Sequence, residues 1–238
     1  MKELAGQLEA DLTWREAEMA ALKLEIVEAR DHSVSQAVLL RAAVTLLYAH
    51  YEGFCRFAWD FYLNAIARLA LARRHGRREL VSLSLVPQFH TLKHNTDPHG
   101  MAMYCLDELQ AQLGAPLAFE PADKLLPTES NLWPTVLCEN CDRAALPHQI
   151  ADQHRQVLAL LVTRRNEIAH GRNVPIRDLS EYETFENAVT LVMHDLAVAI
   201  IDSLDRGLYL AQDTERPHTR RRGSVPRRLA RPRVPPSS

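Results

Sequence analysis

Glycine is scarce in this chain, with 8 in 238 residues, and only 6% of side chains are aromatic. A β-sandwich or barrel turns about every 8 to 12 residues and draws on glycine to do so, which argues against an all-β fold. Lysine is scarcer still: four of the 28 cationic residues are Lys and the rest are Arg, a bias that genome composition explains as readily as function. The four cysteines, Cys55, Cys105, Cys138 and Cys141, are too sparse to staple a chain this long. They are expected to be thiols in a reducing compartment, with no disulfide. No run approaches the roughly 18 to 20 apolar residues needed to span a bilayer. Residues 1–12 lack the cationic and then apolar order of a signal peptide. The expectation is a cytoplasmic protein with no membrane partner. The phosphate-cradling G-x-x-x-x-G-K-[ST], the dinucleotide G-x-G-x-x-G and the nucleophile elbow G-x-S-x-G are all missing, so those chemistries have no visible site.

What is present is apolar side chain, 47% of the chain, with Leu, Ala, Glu and Arg dominant. A chain of this length buries roughly three-quarters of its unfolded surface, enough for a substantial core. The composition predicts an all-α protein. The net charge of −2 hides an asymmetry: residues 213–238 hold eight Arg against Asp213 and Glu215, so the tail is +6 and the remainder −8. Five Pro accompany those Arg. Such a segment cannot build a core, and it is expected to be a disordered basic tail after a single domain of residues 1–212.

Along the domain, Leu8, Leu12, Met19, Leu22 and Ile26 recur at near-helical spacing and predict an amphipathic helix over residues 4–30. After Ser33 as N-cap, residues 34–75 predict one very long helix or two in series, with Leu39, Leu46, Phe54, Phe57 and Phe61 inward. Gly76, Pro87 and Pro98 mark residues 76–98 as a loop-rich excursion holding at most a short helix. Helix is expected again over 101–113, stopping at Gly114, and from Ser130 or Asn131 as cap to Cys141, with Pro134 in the first turn. Residues 150–170 read as a helix with Val157, Leu161 and Ile168 inward and Gly171 as its C-cap glycine. In the last helix, from Asp178 or Ser180 to Gly207, Tyr182, Phe185, Val189, Val192, Leu196 and Ile200 fall at spacings of three and four.

The segment Arg164-Arg165-Asn166-Glu167-Ile168-Ala169-His170-Gly171 ends an apolar helix with a fixed cation, an amide and an imidazole. Arg holds phosphoryl oxygens through paired donors and His titrates near neutrality, so the set suits phosphate chemistry. Arg and His near a helix C-terminus also stabilise its dipole, and that reading competes on spacing alone. At about 100° per residue, Arg165 and His170 stand about 140° apart around one helix and roughly 7.5 Å apart along it, so one helix does not aim them together. Asn166 lies only about 40° from His170 and is assigned a supporting role. Glu52, an acid inside an apolar helix, has three readings: a pair with Arg165, a pair with Arg41, or solvent. Cys138-x-x-Cys141 with His148 and His154, and His90-x-x-x-His94 with His99, have the residue types of a metal site. Neither carries a complete ligand pattern, and no metal or other cofactor is assigned.

Arg165-Asn166-x-x-x-His170 resembles the signature of the HEPN superfamily, and its surroundings resemble the MAE-type HEPN-like nuclease branch. Four blocks carry the likeness, in the family's order: Trp14-Arg15-Glu16-Ala17-Glu18, residues 39–54 reading LLRAAVTLLYAHYEGF, Ser130-Asn131-Leu132, and residues 165–171. The likeness spans roughly residues 8–205. It implies a HEPN-like helical bundle that forms a homodimer, with the catalytic pair Arg165 and His170 of each copy lining a cleft. It further implies metal-independent endoribonuclease activity in a toxin or antiviral defence setting, with an antitoxin or defence partner protein. Asn166 and Glu52 would support that pair, and Arg164 and Arg172 are candidate RNA contacts. The alternative is a non-catalytic HEPN module that binds RNA, a nucleotide or a protein as a scaffold.

Overall fold

The computed structural model describes residues 2–31, 33–95 and 97–211. These residues form an all-α bundle with no strand among them. The tail of residues 213–238 lies outside the described residues. Helix α1 (Lys2–Glu28) buries Leu8, Leu12, Met19 and Ile26, the stripe its spacing predicts. Helix α2 (Val34–Ala67) starts where Ser33 Oγ accepts from Gln36 N at 3.1 Å. It is the central helix, and α1, α9 (Arg155–Ala169) and α10 (Leu179–Arg206) pack around it.

Two features of α2 differ from the expectation. Its inward face is turned by one residue: Leu40, Leu47, Ala58 and Tyr62 are fully buried, whereas Leu39, Leu46, Phe57 and Phe61 pack half-buried at the edge and only Phe54 stands as expected. An apolar stripe wider than one face leaves the choice of centre to the neighbouring helices. The helix also ends at Ala67 rather than near residue 75, because the chain leaves it to pair elsewhere. Leu117 N donates to Leu71 O at 2.7 Å and Arg73 N to Ala115 O at 2.9 Å, and a 3₁₀ turn (Arg73–His75) follows.

Residues 76–98 are not loop-rich. Helix α3 (Arg78–Asn95) runs through Pro87, burying Leu80, Leu83 and Leu85. Proline removes one intrahelical hydrogen bond, and the burial that anchors this helix lies in the turns before it. The next expected helix is two, α4 (Pro98–Asp107) and α5 (Leu109–Gly114), and Pro98 opens the first of them with Asp97 as its cap, accepting from Gly100 N at 2.7 Å. A short α6 (Ala122–Leu125) precedes α7 (Pro134–Arg143), where Pro134 occupies the first helical position. His154 separates α8 (Gln149–Gln153) from α9, so the predicted 150–170 helix is broken once. Helix α10 opens on Asp178, whose side chain accepts from Glu181 N at 2.9 Å, and closes on Gly207 at φ +67°. All six of its predicted apolar positions are buried. That helix is long and apolar enough by composition to cross a membrane, yet half of its most apolar window is buried in the bundle, as in a core helix. All four cysteines are free thiols.

Candidate functional site

Helix α9 buries Leu158, Leu161 and Val162 against the bundle, which leaves its last turn at the surface. The chain stops there through a Schellman turn: Gly171 N donates to Ile168 O at 3.0 Å and Arg172 N to Glu167 O at 2.9 Å. Gly171 has φ +75°, a conformation that side chains with a Cβ adopt at a cost. His170 is the C-cap, its N–H donating to Asn166 O at 3.0 Å. Its imidazole is exposed, and no side chain among the described residues hydrogen-bonds it.

Arg165 is held. Its Nη1 donates to Asn131 Oδ1 at 2.9 Å and to Asn166 Oδ1 at 3.0 Å, and its guanidinium carbon lies 4.4 Å from the centre of the Tyr48 ring. Tyr48 is buried, and its hydroxyl accepts from Leu132 N at 2.8 Å. Burial pushes that phenol well above its usual range, and the Glu52 carboxylate beside it works in the same direction. Glu52 Oε1 accepts from Thr128 Oγ1 at 2.6 Å. Glu52 therefore pairs with Thr128 and the Tyr48 hydroxyl, and it borders Arg165 only through Tyr48. Arg41 instead donates through Nη2 to Arg172 O at 3.0 Å and ties α2 to the loop that follows His170.

The remaining cations of the segment are paired. Arg164 lies 4.0 Å from Glu167 and 3.7 Å from the buried Glu181, and Arg172 lies 3.5 Å from Glu167. Reasoning from the sequence did not single out Tyr48 or assign Asn131 more than a helix cap. Their signal was membership of two of the four blocks. The structure joins those blocks: Asn131 and Leu132 reach Arg165 and Tyr48, and the first block meets the second where Glu18 lies 2.9 Å from His50 and Arg15 donates to His50 O at 3.4 Å.

The family's profile matches residues 4–209, nearly all of the described chain. This chain belongs to the MAE_28990-like HEPN family. No curated protein and no solved structure matches it. In this HEPN domain the R-N-x-x-x-H segment is thus intact, with its amide and cation joined and its imidazole free.

The groupings weighed as metal sites resolve differently. Cys138, His148 and Asp152 bring donor atoms within 4.8 Å of one another, while Cys141 packs against Trp59. Arg155 already bridges Asp152 and Cys138, His148 pairs with Asp142 at 3.1 Å, and burial pushes the Cys138 thiol up to about 11. A guanidinium in the cluster supplies the positive charge that a cation would bring, so these residues form an ion network joining α7 to α8 and α9. His99 is exposed, and the side chain of His94 lies outside the described residues.

Proposed function

We propose that this HEPN protein is a homodimeric endoribonuclease that cuts RNA with Arg165 and His170 and without a metal ion. The observation that carries this reading is the set of groups at the end of α9: an exposed, unengaged imidazole at its C-cap and, five residues earlier, a positioned guanidinium. His170 takes the proton of a 2′-hydroxyl, whose oxygen attacks the adjacent phosphorus. The bond to the 5′-oxygen breaks and that oxygen takes the proton from the His170 imidazolium, leaving a 2′,3′-cyclic phosphate and a 5′-hydroxyl. Arg165 stabilises the charge on the phosphorane. General acid–base help is worth about 10² to 10⁴-fold and electrostatic stabilisation about 10² to 10³-fold, enough for an enzyme that need cut only occasionally.

Support for the dimer lies beside the helix end. Val34 and Val38 of α2 are 83% and 58% exposed, and Val38, Ala42, Leu46 and Ala49 border an open groove with Ile168 of α9. A second copy covering this strip brings two His170 and two Arg165 toward one cleft. The setting is the cytoplasm of a prokaryote, as a toxin or antiviral nuclease with an antitoxin or defence partner. The test is cleavage of a fluorescent RNA by the purified protein in EDTA, with the products' termini identified by mass.

A second reading, a non-catalytic HEPN scaffold, is favoured by one observation: Arg165 already satisfies Asn131, Asn166 and the Tyr48 face. Binding of RNA without any cleavage in EDTA or in magnesium supports that reading over the nuclease.

A further inference from the structure

We propose that an arginine cleft at the far end of α2 docks the phosphate backbone of the RNA. That the strand is RNA rests on the function proposed above; the anion site itself does not. The segment Arg73-Arg74-His75-Gly76-Arg77-Arg78 holds four Arg in six residues. It turns from the 3₁₀ segment into α3, and all four Arg line a cleft of about 630 Å³ floored by Val81, Leu85 and Leu113.

The charge in this cleft is largely uncompensated. Arg73 is 4% exposed, and its guanidinium donates to Ser84 Oγ at 2.7 Å, Gln112 O at 3.0 Å, Gln112 Oε1 at 3.2 Å and Ser84 O at 3.4 Å, all neutral acceptors. A buried cation normally keeps a carboxylate, since an unpaired buried charge is costly. Arg74 and Arg78 are exposed and pair with no carboxylate among the described residues. Glu79 is the one acid lining the cleft, and it lies 3.4 Å from Arg77 Nε. The residue before α3 is Arg77, whose side chain cannot accept a hydrogen bond and so cannot cap the helix. Arg143 continues the rim beyond Arg78, where Asp142 is taken by His148.

These cations fit a strand of phosphates. Guanidinium groups grip phosphate oxygens through two parallel donors, and closely spaced Arg match a ligand that repeats its charge at every nucleotide. At the other end of the bundle Arg164 and Arg172 share Glu167, and Arg164 shares Glu181 with Arg177, so each of those cations has a carboxylate partner whereas Arg74 and Arg78 have none among the described residues. From Tyr48 to Ala67 the axis of α2 spans about 30 Å. The cleft is therefore a docking site remote from the scissile bond, holding the strand while α9 reacts.

The experiment uses the full chain carrying His170→Ala, so that RNA is bound without being cut. Binding of a fluorescent single-stranded RNA is followed by anisotropy from 50 to 200 mM salt. Arg74→Gln, Arg77→Gln and Arg78→Gln together are expected to weaken binding at least tenfold at 50 mM. They should also flatten the plot of log affinity against log salt by about 2, at roughly 0.7 per lost single-strand contact. A control triple, Arg30→Gln, Arg56→Gln and Arg206→Gln, removes the same charge elsewhere and is expected to change affinity less than twofold. Arg78→Gln alone, at an exposed position, should flatten the slope by about 0.7 and serves if the triple variant melts early. Equal losses in both triples, unchanged binding in the cleft variants, or no RNA binding by the parent at 50 mM each overturn the proposal. The last is the outcome if the cleft's occupant is an acidic protein. Loss of binding in the cleft variants, together with no RNA cleavage by the wild-type chain, leaves the docking site standing and removes the nuclease.

Discussion

At the scale of single residues, His170 and Arg165 ask for different tests. His170 is exposed and bonds no side chain, so His170→Ala is expected to abolish cleavage while changing stability by less than about 0.5 kcal/mol, measured by urea denaturation. Arg165→Ala also ends cleavage, but it removes two hydrogen bonds and a ring contact and should cost measurable stability. Tyr48→Phe separates support from chemistry. It deletes the acceptor for Leu132 N–H in a buried place, which costs about 1 to 3 kcal/mol, while leaving the ring under Arg165. The His50 imidazole, apart from the site, makes stability depend on pH. Burial holds the His50 imidazole below its ordinary value of 6.5 in spite of Glu18 at 2.9 Å. The unfolded chain then binds the proton more tightly than the folded one, so stability is full above about 6.5 and falls as the pH drops below it. Melting temperature should decline from pH 7 to pH 5, and His50→Gln should flatten that decline.

At the scale of elements, the end of α9 is where sequence and site coincide. The Schellman turn depends on Gly171, at φ +75°, with open space around its Cα. Gly171→Ala is therefore expected to cost about 1 kcal/mol from backbone strain alone, and to lower cleavage more than stability because His170 is its neighbour. Asp178→Ala, which removes the cap of α10, should cost about the same in stability with cleavage per folded molecule unchanged. Comparing the two variants by thermal melting and by RNA cleavage distinguishes geometry at the site from stability at large. Helix α10 is readable because its apolar residues and its caps agree, whereas α2 is readable at its Ser33 cap but not in its inward face or its end. Helix α3 is not, since Pro87 is a breaker by local rules, and the burial of Leu80, Leu83 and Leu85 that fixes its first half is settled by distant segments.

At the scale of the whole molecule, the divergence of Arg165 and His170 on one helix makes the composite dimer site testable by mixing. Arg165→Ala and His170→Ala proteins, each inactive, should regain part of the wild-type cleavage after subunit exchange if the two groups act from different subunits. A mixture that stays dead with exchange verified by mass rules that arrangement out. Full activity from a verified monomer rules out the dimer requirement itself. Deleting residues 213–238 is expected to leave the melting temperature within a degree or two, because a segment with eight Arg and five Pro has little to pack. A fall of many degrees would mean that the tail docks on the bundle.

The sequence alone determined what depends on local chemistry: the all-α class, the caps at Ser33 and Asp178, the glycine stops at Gly171 and Gly207, the stripe of α10, and the R-N-x-x-x-H segment. Each is set by residues within a few positions of one another. What the tertiary structure decided is everything that required distant segments to meet. It turned the inward face of α2 by one residue and joined Asn131 and Tyr48 to Arg165. It also gave Glu52 to Thr128, and it set Arg164 and Arg172 against Glu167, with Glu181 shared by Arg164 and Arg177. It left the Arg73 to Arg78 segment, one more basic run in the sequence, lining a cleft in which Glu79 is the one acid. Charge and burial are properties of neighbourhoods, and a chain acquires its neighbourhoods only on folding.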